Sequence, residues 1–360
     1  WGPVKVLRNT DGIFTDATAD MGLSEYKGWW NGVTTGDLNA DGQMDIIATN
    51  WGLNTKYNYY YDHELRIFYD DFDHNGTLDI IEAHIDPVEN RLYPERGLSC
   101  MSNAMPFVKS LNPTFDEFGS ANLDEVIGPR LWEAKQVTAS HLEHTVFLNR
   151  GDHFEAIVMP AQAQFAPAFY AGIADFDGDG HEDVFISQNF FSSQIETPRN
   201  DAGRGLWLKG DGTGNLEPIP GQESGVKVYG EQRGAALGDY DQDGRVDLVV
   251  SQNGAETKLY HNVGAKPGLR VRLKGSKANV SGIGATIRLI YSDHHGPARE
   301  IHAGSGYWSQ DSVVQIMGLK EEPKGIWVRW PGGQITESDI PANATDITVR
   351  QDGTILSSSK

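Results

Sequence analysis

The stretch Asp175-Phe176-Asp177-Gly178-Asp179-Gly180-His181-Glu182-Asp183 places carboxylates at its first, third, fifth and ninth positions and glycine at its sixth. Ca²⁺ is a hard cation that gathers roughly six to eight oxygen ligands, and alternating side chains of a tight loop can converge on it. Glycine at the sixth position permits a turn that a residue with Cβ resists. The seventh residue, His181, is expected to offer its backbone carbonyl. Asp183 closes the shell where the chain enters Val184-Phe185-Ile186, which reads as a buried strand.

The pattern occurs three more times. Asp37, Asn39, Asp41, Gly42 and Asp45 form one copy, with Gln43 at the carbonyl position. Asp71, Asp73, Asn75, Gly76 and Asp79 form a second, with Thr77 there, and Asp239, Asp241, Asp243, Gly244 and Asp247 form a third, with Arg245 there. An apolar run follows each copy, and three of the runs end at Asn50, Asn189 or Asn253. One such loop alone reads as readily as a solvated acidic turn. Four with the same glycine, the same ninth-place Asp and the same following strand read as calcium sites for up to four ions. The loops at 175–183 and 239–247 place four carboxylates each at the ligand positions and are expected to bind more tightly than the two in which Asn replaces one. The helix–loop–helix calcium motif has twelve residues and ends in Glu, so it does not apply. Repetition of strands means an array, solenoid or propeller.

Composition agrees with an all-β protein rich in turns: 41 glycines in 360 residues, and 22% charged residues. The net charge is −20, and the ligand positions of the loops contribute three, three, four and four acidic side chains to it. An acidic chain without a basic run argues against nucleic acid and anionic membrane as partners. Cys100 is alone, so no intrachain disulfide forms, and it reads as a buried structural thiol. No apolar run approaches the ~20 residues that span a bilayer. The chain opens on Trp1 inside a strand-like segment, which reads as a processed or truncated piece of something longer.

Leu7-Arg8-Asn9 and Ile13-Phe14-Thr15 flank Asp11-Gly12, a strong hairpin signal. The pattern returns at Leu148-Asn149-Arg150-Gly151 with Phe154, more loosely at Leu208–Leu216, and in part at Leu259-Tyr260-His261-Asn262. The repeat is a hairpin, a connection, a strand, a calcium loop and a strand, about the size of one four-stranded propeller blade. Residues 93–138 have helical spacing, with Asn122 as an N-cap, and read as a helical insertion on one blade. The propeller region is therefore residues 1–266. Four repeats are few for a closed ring, so the propeller is either incomplete or completed by a separate chain or segment. Residues 267–356 alternate in the strand manner and form a second, small β domain of sandwich or barrel type.

The repeats resemble the FG-GAP-like VCBS repeats, related to the calcium-binding modules of integrin α subunits. Residues 267–356 resemble the ASPIC and UnbV domain. Gly282-Ile283-Gly284-Ala285, Gly304-Ser305-Gly306-Tyr307 with Ser309-Gln310, Gly318-Leu319 and Val328-Arg329-Trp330-Pro331-Gly332-Gly333 carry that match. Together they resemble the cartilage acidic protein group and its bacterial relatives. The resemblance implies secretion or surface display, in an extracellular or periplasmic setting, and binding or adhesion in place of a reaction.

No nucleophile elbow, phosphate loop or zinc signature is present. His141 and His144 form a weak candidate metal pair without a third ligand. Trp29, Trp30, Trp51, Tyr57, Tyr59, Tyr60 and Tyr61 crowd one stretch, as blade core or as a face for a protein or glycan partner. The reading is a non-enzymatic calcium-binding propeller acting in binding, adhesion or assembly. The rival is a secreted carbohydrate-active enzyme, or another hydrolase or lyase, that uses the propeller face as a substrate platform.

Overall fold

A computed structural model describes residues 1–60, 63–195 and 197–358. The chain forms two compact units. One comprises Trp1–Ala19, Leu23–Trp29 and Thr55–Leu142, the other Asp20–Gly22, Trp30–Asn54 and Glu143–Lys360. Strands dominate both, so the fold is all-β with a helical insertion.

The larger unit holds three antiparallel sheets of the blade type. In the first, Gly32–Gly36, Asp45–Thr49, Thr145–Asn149 and Phe154–Val158 lie in that order. In the second, Ala168–Ala174, Asp183–Gln188, Leu206–Gly210 and Leu216–Ile219 do the same. The third has Glu231–Gly238, Asp247–Asn253 and Lys258–Tyr260. A calcium-type loop joins the first two strands of each. Neighbouring sheets meet through their first strands, with Ala168–Ala174 between the other two. The second strands are apolar on both faces, because both faces are covered: Ile46, Ile47 and Ala48, then Val184, Phe185 and Ile186, are all buried.

Residues 55–142 interrupt the sequence of the first sheet between its second and third strands. They build a sheet of their own in the smaller unit, ordered Lys135–Ala139, Leu65–Asp70, Asp79–Ile85, Leu92–Pro94. Four short helices, Leu98–Ala104, Phe107–Leu111, Phe115–Ser120 and Leu123–Ile127, join the last two strands in chain order. Thr114 with Glu117 and Asn122 with Glu125 form reciprocal capping boxes, which start the last two of these helices. Leu98, Met101, Val108, Leu123, Val126 and Leu131 pack with Phe68 and Ile81 of the sheet and with Phe72 of its loop. Cys100 lies half-buried on the first of these helices, where the sequence suggested full burial. Leu7–Thr10 and Ile13–Asp16 form the expected hairpin, with Asp11 and Gly12 at φ of 54° and 87° as a two-residue turn requires.

The C-terminal residues form a sandwich of two four-stranded sheets. Leu269, Val271, Leu273, Ile287, Leu289, Ile326, Val328, Trp330, Ile347 and Val349 fill the space between them. This sandwich belongs to the same compact unit as the three blade sheets. Arg299 spans the two parts: Nε and Nη2 donate to Glu182 Oε1 and Oε2 at 2.6 and 2.8 Å, and Nη1 donates to the Ile316 carbonyl. Glu182 is the eighth residue of its loop, and both side chains are buried.

A buried bidentate pair is costly to break from one side, because the remaining charge stays desolvated. Glu182→Ala is expected to lower unfolding stability by about 3–5 kcal/mol in a denaturant titration. Glu182→Gln combined with Arg299→Met should recover most of that loss.

Candidate metal centres

Each loop is closed by the same backbone bonds. The ninth-place carboxylate accepts the N–H of the second residue: Leu38 to Asp45 at 2.8 Å, Phe72 to Asp79 at 3.1 Å, Phe176 to Asp183 at 2.9 Å, Tyr240 to Asp247 at 3.1 Å. The first-place carboxylate accepts the N–H of the sixth-place glycine in all four, at 2.7–2.9 Å. Those glycines, Gly42, Gly76, Gly180 and Gly244, have φ of 85–89°, where a Cβ would be strained. The fifth-place side chain accepts the seventh residue's N–H in each: Asp41 from Gln43, Asn75 from Thr77, Asp179 from His181, Asp243 from Arg245.

This geometry draws the first, third and ninth side chains together. Carboxylate oxygens of Asp71, Asp73 and Asp79 lie within 4.8 Å of one another, as do those of Asp175, Asp177 and Asp183, and those of Asp239, Asp241 and Asp247. At 37–45 the third place is Asn39, so two carboxylates and an amide stand there. Of the fifth-place groups, Asp243 lies in a further such cluster, with Asp241 and His261. Asp37 Oδ1 is buried without a hydrogen-bond partner. An orphaned carboxylate oxygen at the first ligand position is what a site built for a hard cation leaves behind, so the residues present fit Ca²⁺.

Burial pushes several of these acids up. Asp183 rises to about 8 through burial, aided by the like charges of Asp177 and Asp175 and opposed by the N–H bonds of Gly210 and Phe176. Asp37, Asp45 and Asp175 rise to about 6, again chiefly through burial. Asp179 moves the other way: burial raises it, but bonds from Lys209 and the His181 N–H outweigh that.

Cations that sequence spacing did not reveal reach three of the loops. Lys209 Nζ pairs with Asp177 and, at 2.9 Å, with Asp179. His261 Nε2 stands 3.0 Å from Asp241, Arg245 pairs with Asp243, and Arg270 of the C-terminal sandwich pairs with Asp239. The Arg288 guanidinium lies against Gly42. The two loops richest in carboxylates thus also carry the most competing cations, which works against the tighter binding expected from charge alone. Backbone contacts tie the sandwich to the same loops: Ala298 N–H to Asp37 at 2.8 Å and Gly268 N–H to the Gly244 carbonyl at 2.8 Å.

The histidine pair does not form a metal site. His144 is buried, its Nδ1 takes the Asn50 N–H at 2.7 Å and its Nε2 lies 3.0 Å from the Ala166 carbonyl, so both nitrogens are used in packing. His141 lies in no helix and bridges to Gly28. A network the sequence did not signal sits in the smaller unit. Tyr57 Oη donates to Glu82 at 2.6 Å, Arg96 lies 3.1 Å from Glu82, and Glu95 meets Lys56 at 2.5 Å and His84 at 2.6 Å. Its two carboxylates are matched by two fixed cations and an imidazole, which anchors the turn at Lys56–Tyr60. The aromatic stretch divides. Trp51 and Tyr57 are buried, Trp29 and Trp30 partly so, and Tyr59 is exposed. Trp29 packs between Trp1 and Tyr57, Trp30 against Phe147 and Trp51 against Phe190. Tyr61 and the side chain of Tyr60 lie outside the described residues.

The raised acids have a consequence for the metal-free chain. Between about 4 and 8 the folded loops hold protons that the unfolded chain has released, so stability falls as pH rises through that window. In chelator, the melting temperature should drop from about pH 5 to about pH 8. A divalent cation held by the deprotonated loops should remove the drop. A melt in chelator that is flat or rises over this range would contradict the buried-carboxylate account.

Comparison with known proteins agrees with this architecture. The FG-GAP-like repeat profile matches residues 1–48 and 175–250, and the ASPIC and UnbV profile matches residues 275–355. Cartilage acidic protein 1 of Xenopus tropicalis is 27% identical over 168 residues, covering 45% of this chain and 25% of that protein. The Homo sapiens protein of the same name is 24% identical over 212 residues, covering 55% of this chain and 30% of the relative. The chain therefore spans less than a third of the length of these relatives. A solved exotype rhamnogalacturonan lyase aligns over 99% of this chain and 60% of its own at 12% identity, but the TM-score of 0.22 carries no argument. With loops, blades and sandwich in place, the chain is an FG-GAP-like repeat protein with a C-terminal ASPIC and UnbV domain, distantly related to the cartilage acidic proteins.

Proposed function

We propose that this chain is a secreted or surface calcium-binding module for binding, adhesion or assembly, and that it is not an enzyme. The observation that carries the reading is the convergence of first, third and ninth carboxylates in three separate loops, with the fourth loop holding an orphaned buried oxygen at the same first place. Sites of this charge on turns suit the calcium levels that extracellular modules meet. The relatives' name, cartilage acidic protein, supports an extracellular setting. Among the described residues no helix is long and apolar enough to cross a membrane.

The partner surface of this reading is aromatic. Trp308 is 93% exposed at a φ of 50°. Its loop is braced: Ser305 N–H donates to Ser309 at 2.8 Å, Asp311 N–H to Ser305 at 3.2 Å, and Tyr307 packs edge-on against Phe169. A large exposed aromatic on a braced loop is the residue type that dominates interface energy. It suits a protein anchor pocket or a sugar ring.

Trp308→Ala should leave the melting temperature within about a degree of wild type, since an exposed side chain contributes little to folding. The same change should abolish calcium-dependent binding to immobilised glycan and extracellular-protein arrays. Tyr57→Ala should instead destabilise by about 3–5 kcal/mol. Turnover of an oligosaccharide by the purified chain, lost on changing one carboxylate outside the loops, would overturn the non-enzymatic reading.

A further inference from the structure

The end of the blade sheets away from the calcium-type loops carries a different chemistry. Each loop joins the finish of a first strand to the start of a second, so the starts of the first strands and the ends of the second lie together at the opposite end. Rings gather there. Phe169, early in its strand, stacks on Phe190, just past the end of the next strand, at 6.2 Å. Trp51, just past Asp45–Thr49, meets Phe190 at 5.2 Å. Tyr307 meets Phe169 at 5.2 Å and stacks on Trp308 at 6.3 Å. A run of rings therefore leads from the buried Trp51 to the open Trp308.

Arginines lie on rings at the same end. The Arg233 guanidinium is 4.1 Å from the Phe169 ring centroid and 5.1 Å from that of Phe190. Its N–H groups are engaged by the Asn189 and Gln232 carbonyls and by Glu231, so it braces the rings. Arg199 lies over Phe191 at 3.9 Å, and Arg204 over Tyr229 at 5.3 Å. Both are exposed, and neither has a carboxylate partner among the described residues. In a chain of net charge −20, these two cations are placed on rings and not on acids.

Their footing is fixed. Buried Asn189, one of the asparagines that end the apolar runs, donates Nδ2 to the Gly203 and Gly230 carbonyls at 2.9 and 3.0 Å and accepts the Gly203 N–H at 2.8 Å. It ties together the segments that carry Arg204 and Tyr229, and the Val228 N–H donates to the Arg204 carbonyl at 2.8 Å. Phe190 and Asn200 exchange both backbone bonds, at 2.8 and 3.0 Å, which brings Arg199 beside Phe191. The Phe191 N–H is held by Glu231 at 2.9 Å.

We propose that this end is a binding site for an acidic polysaccharide, whose carboxylates meet Arg199 and Arg204 and whose sugar rings lie on Tyr229 and Trp308. A guanidinium is planar, stacks on aromatic faces and pairs two N–H groups with the two oxygens of a carboxylate. Tyr229 and Trp308 are 62% and 93% exposed and offer flat apolar faces between such forks. A ligand that repeats a ring and a carboxylate uses both features. An acidic peptide uses only the forks. The acidity of the rest of the chain does not forbid this, because exposed charges more than about 8 Å away are largely screened at physiological ionic strength. The inference rests on the reading of the chain as a binding module and narrows its partner.

The test titrates a labelled glucuronate oligosaccharide with the full chain in calcium, beside neutral dextran and poly-glutamate of equal charge. The glucuronate should bind, more weakly as salt rises, and dextran should not. Poly-glutamate should bind at least ~10-fold more weakly than the glucuronate. Changing Arg199→Gln and Arg204→Gln together should weaken glucuronate binding at least ~10-fold. Both residues are exposed, so the variant should melt as wild type does, and its melt is recorded. Replacing both by Lys keeps the charge but not the fork, and should still weaken binding at least ~3-fold. Lys274→Gln removes an exposed charge from the sandwich and should bind as wild type does. No glucuronate binding, unchanged binding by the double Gln or double Lys variant, an equal loss in Lys274→Gln, or equally tight poly-glutamate would overturn the proposal. A chain that ignores the glucuronate but binds another array member through Trp308 loses only this inference. A chain that binds nothing on the glycan and protein arrays loses the binding-module reading as well.

Discussion

The ninth-place aspartate is the point at which this fold is tied. One oxygen closes its own loop by accepting the second residue's N–H, and in the three blade sheets the other accepts an N–H from the third strand or from just past its end. The same side chain stands among the carboxylates that converge in the loop. A single buried anion thus joins loop, ladder and candidate ion site. Its burial is costly, which is why Asp183 and Asp45 hold protons far above the ordinary carboxylate range in the absence of a cation. A divalent ion offsets that cost, and binding to the folded chain alone stabilises by about 2.7 kcal/mol per site at a hundredfold excess over Kd.

The C-terminal sandwich is fastened to the same loops. Arg270 on Asp239, Arg299 on Glu182 and the Ala298 amide on Asp37 each take one loop. Sequence alternation alone would turn Arg270 to solvent, since its strand neighbours Leu269 and Val271 face the sandwich core. It is buried instead, because the acidic loop supplies the charge it needs. Events at the loops and the footing of the sandwich are therefore coupled through shared side chains. The sandwich does not read as a free appendage.

What could be read from the residues was local. The loops are legible because nine consecutive residues carry their whole pattern, and the capping box at Asn122 because it spans four. Hairpins announce themselves by Asp-Gly between apolar runs. Long-range features left no such mark. Nothing near Asp45 tells that its strand's next partner, Thr145–Asn149, arrives after residues 55–142 have formed a sheet of their own. The cations on the loops come from other strands or from the sandwich, so a ranking of sites by carboxylate count missed them. The network of Glu82, Glu95, His84 and Tyr57 draws on four separated positions, none unusual in its own neighbourhood. The aromatic stretch misled in the opposite way: closeness in sequence suggested one surface, whereas the rings enter several different packing contacts.

The central claim is that the loops are calcium sites built around the ninth-place carboxylate. Calorimetric titration of the chelator-stripped chain with Ca²⁺, beside its Asp183→Asn variant, tests it most directly. The account predicts saturable uptake of up to four ions by the wild type, and one ion fewer in Asp183→Asn with the other sites retained. No uptake at millimolar calcium, or an unchanged stoichiometry and affinity in the variant, would contradict it.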